Sequence, residues 1–233
     1  MDPDRARLIY ALDYPDLNTA VGGVDAVRGE VGCVKVGLEL FVRHGPDAVA
    51  LGERAGADVF LDLKLHDIPV TVERAVRGVR AHAVRYLTVH ASGGEAMLRA
   101  AVEAAGEGLS IVAVTVLTSL DDRDVNAVGF ARGASELARH LGELAYAAGV
   151  RAFVCSPAEV AALRKTLGSD ALLITPGVRP AGSEPGDQKR VATPEEAIAS
   201  GADMVVVGRP IRDAADPRAA ARSIVASIAS AHV

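Results

Sequence analysis

Cysteine, lysine and long apolar runs are all scarce in this chain of 233 residues. The two cysteines, Cys33 and Cys155, lie far apart and each sits in a strand-like run. That is too few for a disulfide scaffold or a Cys/His zinc site, so both read as reduced, buried thiols. The longest uncharged apolar stretch, residues 109–120, falls short of the roughly 18 residues that a membrane-spanning helix needs. The start, Met1-Asp2-Pro3-Asp4, is too acidic for a secretory signal, and the chain reads as cytoplasmic. No basic block accompanies the net charge of −5, which argues against nucleic acid as a partner because phosphate tracking needs clustered Lys and Arg. HExxH, P-loop, GxSxG and zinc-spaced Cys/His patterns are missing as well, leaving scattered carboxylates as the only route to a metal site.

What is present is a regular alternation. Strand-like runs fall at Leu8–Leu12, Cys33–Val36, Val59–Leu63, Tyr86–His90, Ile111–Leu117, Ala152–Cys155, Leu172–Thr175 and Met204–Val207. Most are continuously apolar, the pattern of parallel strands buried on both faces. Ala-rich segments long enough for helices separate them. Three carry capping-box spacing: Ser92 to Glu95, Ser156 to Glu159 and Thr193 to Glu196. Strand and helix repeated eight times predict a (β/α)8 TIM barrel filling residues 1–233 as one domain. A doubly wound open sheet is the alternative, weakened by the lack of GxGxxG after the first strand. One Gly/Pro-rich segment, Pro180 to Asp187, follows the seventh strand and predicts a surface loop able to cover a site.

Charges interrupt these apolar runs, and they do so where a barrel keeps its functional face, at the carboxyl ends of the strands. The first run ends in Asp13; the second holds Lys35; the third leads into Asp62, Lys64, His66 and Asp67; the fifth ends in Thr118-Ser119; the eighth ends in Gly208-Arg209. Only four of the 25 basic residues are lysine, and of those Lys35 lies within a predicted strand and Lys64 directly follows one. Buried Lys and Asp need partners or a task. Asp62 and Lys64, two apart on a strand, point to one face, and Asp67 just beyond is placed to join them. A lysine between two carboxylates is held cationic, which suits a proton donor better than a Schiff-base nucleophile.

Each of these residues also has a plainer reading. The Asp62/Lys64 pair reads equally as an ion-pair network without chemistry, and Asp67 as a cap for the helix opening at Pro69. Asp13 is either a cap for the next helix or an acceptor for a sugar hydroxyl. Arg209 is either a surface residue or a phosphate ligand, with Gly208 allowing close backbone approach. His66 has no histidine at metal or triad spacing and reads as a bystander, while His90 belongs either to the core or to the site rim.

Taken with its flanks, the run Asp62-Leu63-Lys64-Leu65-His66-Asp67-Ile68-Pro69-Val70-Thr71 resembles the signature of the orotidine 5′-phosphate decarboxylase family. Further matches follow in order: Ala11-Leu12-Asp13, Lys35-Val36-Gly37, Val89 to Gly94, Leu117-Thr118-Ser119, Thr175 to Arg179, Asp187-Gln188 and Val207-Gly208-Arg209. DxKxxD alone is also found in Mg²⁺-dependent sugar-phosphate decarboxylases and aldolases of the same suprafamily. Those relatives place a carboxylate where this chain has Lys35, and they lack the Ile-Pro-x-Thr continuation.

The resemblance implies decarboxylation of orotidine 5′-monophosphate to UMP, the last step of UMP biosynthesis, with no cofactor and no metal. It implies Lys64 as proton donor to C6, in an alternating array with Asp62, Asp67 and Lys35. Asp13 and Lys35 would contact the ribose hydroxyls and Thr118 the pyrimidine amide edge. Pro176 and Val178 would line the base pocket, and Gln188, Arg209 and the Gly208 amide would hold the phosphate, assisted by Arg179. Ile68 falls among the substrate-contacting positions. Asp67 and Thr71 would reach into a partner's site, implying a homodimer, and residues 180–190 would form a phosphate-closing lid. The remaining alternatives are a Mg²⁺-dependent sugar-phosphate enzyme and a noncatalytic phosphate-ligand barrel.

Overall fold

Every strand needs a partner on each edge, and with none left over the sheet closes. A computed structural model describes residues 2–180 and 192–231. Among these, eight parallel strands pair in sequence order: β1 (Leu8–Ala11), β2 (Cys33–Gly37), β3 (Asp58–Leu65), β4 (Tyr86–His90), β5 (Ser110–Val114), β6 (Ala152–Val154), β7 (Leu172–Thr175) and β8 (Met204–Val207). β8 returns to β1 with Ile9 opposite Val206, so the protein is a single-domain (β/α)8 TIM barrel. No helix of the described residues is long and apolar enough to cross a membrane.

The continuous apolar runs split into two cores by strand alternation. Ile9, Ala11, Cys33, Phe60, Val112, Ala152, Ile174, Met204 and Val206 form the barrel interior. Their neighbours Leu8, Tyr10, Val34, Leu61, Leu87, Ala113, Phe153, Leu173, Val205 and Val207 pack outward against the helices. Both cysteines are free and buried, and burial pushes the Cys155 thiol up to about 12.

β1, β2, β3, β5 and β6 differ from the expected runs by one to three residues at an end, β3 and β5 the most, and one cap differs. β5 ends at Val114 rather than Leu117, because β6 stops at Val154 and offers no ladder beyond it. β3 runs on past Leu63 to Leu65. Thr193 and Glu196 make the reciprocal capping box ahead of helix Pro194–Ala199. The Glu159 carboxylate accepts from the Ser156 N–H at 3.0 Å. Ser92 caps nothing. Gly94, at φ 86°, is the N-cap of helix Glu95–Ala105, which places Glu95 in the first helical position, two short of where a box needs it.

Candidate active site

The inward-facing parity of the strands continues past the barrel interior into polar residues. Asp13 continues the alternation of Ile9 and Ala11, Lys35 that of Cys33, Asp62 that of Phe60, and Gly208 that of Met204 and Val206. These residues surround a cavity of about 510 Å³ at the carboxyl ends of the strands. Ala11, Phe60, Val154 and Val206 are shared between its lining and the barrel interior, so the charged groups stand above an apolar base.

Four charged side chains form a connected row. Lys64 Nζ donates to both oxygens of Asp62, each at 2.8 Å. Lys35 Nζ lies 3.7 Å from Asp62 Oδ2 and donates to Asp13 Oδ1 at 3.1 Å. Burial alone would raise the Asp62 pKa, but Lys35, Lys64 and the hydrogen bonds from Lys64 and Thr88 outweigh it and hold the carboxyl below its ordinary range. The alternative role for Asp13 is filled by another residue: Asp16 caps helix Leu17–Ala26.

Asp62 and Lys64 share the cavity, though not through plain strand alternation. Leu61 pairs with Leu87 and Leu65 with Val89, so three residues of β3 span the length taken by Thr88 alone on β4. In this bulge Lys64 adopts φ 51°, the one non-glycine residue with positive φ among the described residues. Such a conformation costs a lysine about 1–3 kcal/mol and persists where neighbours enforce it. The Lys64 N–H donates to the Thr88 hydroxyl at 2.8 Å, and that hydroxyl donates to Asp62 Oδ1 at 3.0 Å. Thr88 is wholly buried, and a threonine inside an apolar strand gives no sign in the sequence of serving a site.

Arg179 and Arg209 also line the cavity, and the two guanidiniums interact electrostatically. Burial and then Arg209 lower the Arg179 pKa, and among the described residues Arg179 Nε has no hydrogen-bond partner. Pro176, Val178, Thr118 and Gly208 line the same cavity. A Cβ on Gly208 would sit 3.4 Å from both Ala11 Cβ and Asp13 Oδ2, so glycine keeps this wall open. Arg212, absent from the predicted set, also lines the cavity and donates to the Asp13 carbonyl at 2.8 Å. Its signal was a second arginine one helical turn after Arg209.

Asp67 does not join Lys64 within this chain. It is exposed beyond the end of β3, where its Oδ1 accepts from the Ile68 N–H at 2.7 Å, and the helix Pro69–Val79 has no side-chain cap. Ile68 and Thr71 are likewise exposed and outside the cavity lining. Gln188 and most of the 180–190 segment lie outside the described residues. His66 does meet a histidine, the His90 ring at 5.5 Å, yet neither ring lines the cavity. Burial, followed by His66 and Lys64, keeps the His90 imidazole below its usual pKa.

A closed barrel that gathers lysine, aspartate and arginine around a cavity at its strand carboxyl ends has the build of a (β/α)8-barrel enzyme. Residues 6–224 match the family described as orotidine 5′-phosphate decarboxylase / HUMPS. Curated relatives named orotidine 5′-phosphate decarboxylase include one from Anaeromyxobacter sp. (strain K), 54% identical over 95% of this chain and 98% of the relative. Another, from Thermobifida fusca, is 55% identical over 96% of each chain. Among solved structures, orotidine 5′-phosphate decarboxylase from Lactobacillus acidophilus superposes with a TM-score of 0.84 at 35% identity, covering 95% of this chain and 98% of its own. The chain belongs to the orotidine 5′-phosphate decarboxylase / HUMPS family, and it is an enzyme of the carboxy-lyase class.

Proposed function

We propose that this enzyme converts orotidine 5′-monophosphate to UMP and CO2 in pyrimidine biosynthesis, without metal or cofactor, by stabilising and protonating a carbanion at C6. The observation that carries the reading is the Lys64 ammonium, held 2.8 Å from both oxygens of an ionised Asp62 inside the cavity. Breaking the bond from C6 to the carboxylate releases CO2 and leaves an electron pair in the plane of the ring, where the π-system cannot absorb it. A fixed ammonium acts on that charge as it develops, the kind of preorganised electrostatics that lowers a barrier most. Lys64 then gives its proton to C6, forming UMP, and regains one from solvent.

The other contacts are those the family resemblance implies, and the presence of these residues in one cavity lining supports them. Asp13 and Lys35 hold the ribose hydroxyls, Thr118 the pyrimidine amide edge, and Pro176 and Val178 flank the base. Arg179, Arg209 and the Gly208 amide take the phosphate, supported by the place of all three residues in the cavity lining. Phosphate binding remote from the reacting bond helps organise the site.

The enzyme acts as a cytoplasmic homodimer in which Asp67 and Thr71 complete the partner's site. Support comes from their exposure beside two apolar side chains open to solvent, Ile68 at 63% and Val70 at 44%. Mixing inactive Lys64→Ala and Asp67→Ala subunits is then expected to restore activity, because one site in each hybrid is intact. Hybrids as inactive as either parent would show that Asp67 does not serve the partner's site.

The central test follows the absorbance loss of orotidine 5′-monophosphate in excess EDTA for wild type and Lys64→Ala. Turnover that survives chelation and collapses in the folded variant is expected. No wild-type turnover would overturn the substrate, loss on chelation would return the metal-dependent sugar-phosphate reading, and an active variant would remove Lys64 as the donor.

A further inference from the structure

Lys64 is fixed at both ends through a single residue outside its own strand. Its backbone N–H donates to Thr88 Oγ1 at 2.8 Å, Thr88 Oγ1 donates to Asp62 Oδ1 at 3.0 Å, and the same oxygen accepts from Lys64 Nζ at 2.8 Å. The three contacts close a ring: main chain of Lys64, hydroxyl of Thr88, carboxylate of Asp62, ammonium of Lys64. A hydroxyl is the group that closes it, since it accepts on one side while donating on the other.

We infer that Thr88 is a positioning residue for this reaction, holding Lys64 in its left-handed backbone conformation and orienting Asp62 so that the ammonium is aimed into the cavity. The need for it comes from the bulge. With Leu61 opposite Leu87 and Leu65 opposite Val89, the backbone of β4 has only the Thr88 position to set against residues 62, 63 and 64. The Lys64 N–H therefore turns to a side chain, and at φ 51° the lysine has no intrinsic preference to stay there. Thr88 itself has no freedom to move: it is fully buried, and its backbone is paired with Val112 on β5. It does not line the cavity, so it acts on substrate only through Lys64 and Asp62.

The inference rests on the decarboxylase reading for its kinetic part, and a second measurement frees it from that dependence. Thr88→Val keeps shape and volume while removing both hydrogen bonds; Thr88→Ser keeps them. For Thr88→Val, kcat on orotidine 5′-monophosphate is expected to fall about 10- to 100-fold, as for loss of a hydrogen bond to a charged group, with KM changed by less than about threefold. Thr88→Ser is expected to stay within about threefold of wild type in both. Independently of any substrate, hydrogen exchange at the Lys64 amide is expected to quicken at least about tenfold in Thr88→Val and to remain slow in Thr88→Ser. A folded Thr88→Val enzyme with unchanged kcat, or with an unchanged Lys64 exchange rate, would overturn the inference, as would a serine variant as impaired as the valine one. A wild type silent on orotidine 5′-monophosphate would sink the decarboxylase reading alone, leaving the exchange measurement to decide the role of Thr88.

Discussion

Two clusters of charge sit at opposite ends of the same barrel. At the amino-terminal edge, Arg164 donates to Asp203 at 2.5 Å and to the carbonyls of Gly168, Ala171 and Gly201, while Asp203 also accepts from the Leu173 N–H. At the carboxyl edge, Asp13, Lys35, Asp62 and Lys64 bond chiefly to one another and face a cavity. The first cluster spends its hydrogen bonds on backbone groups that would otherwise go unpaired, tying β7, β8 and the preceding helix Val160–Leu167 together. The second leaves its ammonium groups turned to open space, where a ligand's charge can meet them. Charge in a barrel therefore serves stability or chemistry according to what its remaining valences face, in keeping with the division between the two ends of this fold.

The sharpest break in this comparison comes from cutting each cluster in turn. Lys64→Ala is expected to lower kcat about 10³-fold or more, since it removes a group acting on the transition state, and to cost less in denaturation than the change at Arg164, since Lys35 remains 3.7 Å from Asp62 to pair with it. Arg164→Ala is expected to do the reverse. It strands Asp203 and three carbonyls at a cost of about 2–3 kcal/mol in chemical denaturation, with kcat per folded molecule unaltered. A stable but slow Arg164→Ala, or an unstable but active Lys64→Ala, would erase the distinction.

A smaller effect separates the two ends of the cavity. Arg209→Ala is expected to lower kcat/KM on the order of 10²-fold, mostly through KM, by removing a charged contact to the phosphate. A kcat/KM within about twofold of wild type would remove Arg209 from the phosphate site.

The smallest effect is one of pH. Asp62 has a folded pKa below its ordinary 3.8, so its contribution to stability is complete above that value and fades as pH falls through the lower folded one. Melting temperatures measured downward from pH 4 should accordingly fall more steeply for wild type than for Asp62→Asn. Parallel curves would mean that the carboxylate adds nothing to stability.

Much of this was readable before any coordinates. β4, β7 and β8 fall on the expected runs, because strands packed on both faces are mostly apolar along their whole length. Asp13, Lys35, Asp62, Lys64 and Arg209 stood out for the same reason: each puts a charge where burial without a partner is costly. Thr88 carried no such signal, because a threonine is at home in any strand. Asp67 was misplaced beside Lys64, because spacing along the chain does not reveal that the backbone turns outward after Leu65. His66 looked solitary because His90, its neighbour in space, is 24 residues away.

The order of the apolar runs, the charges that interrupt them and the family motif around Lys64 were determined by the sequence itself, since burial periodicity and side-chain type are local properties. Tertiary structure alone decided that three residues of β3 oppose one of β4. Only there did Lys64 become left-handed, Thr88 close the ring between its amide and Asp62, and Asp67 turn away from the cavity. The physical reason is that a bulge belongs to a pairing between strands: hydrogen-bond register exists only once both partners are in place.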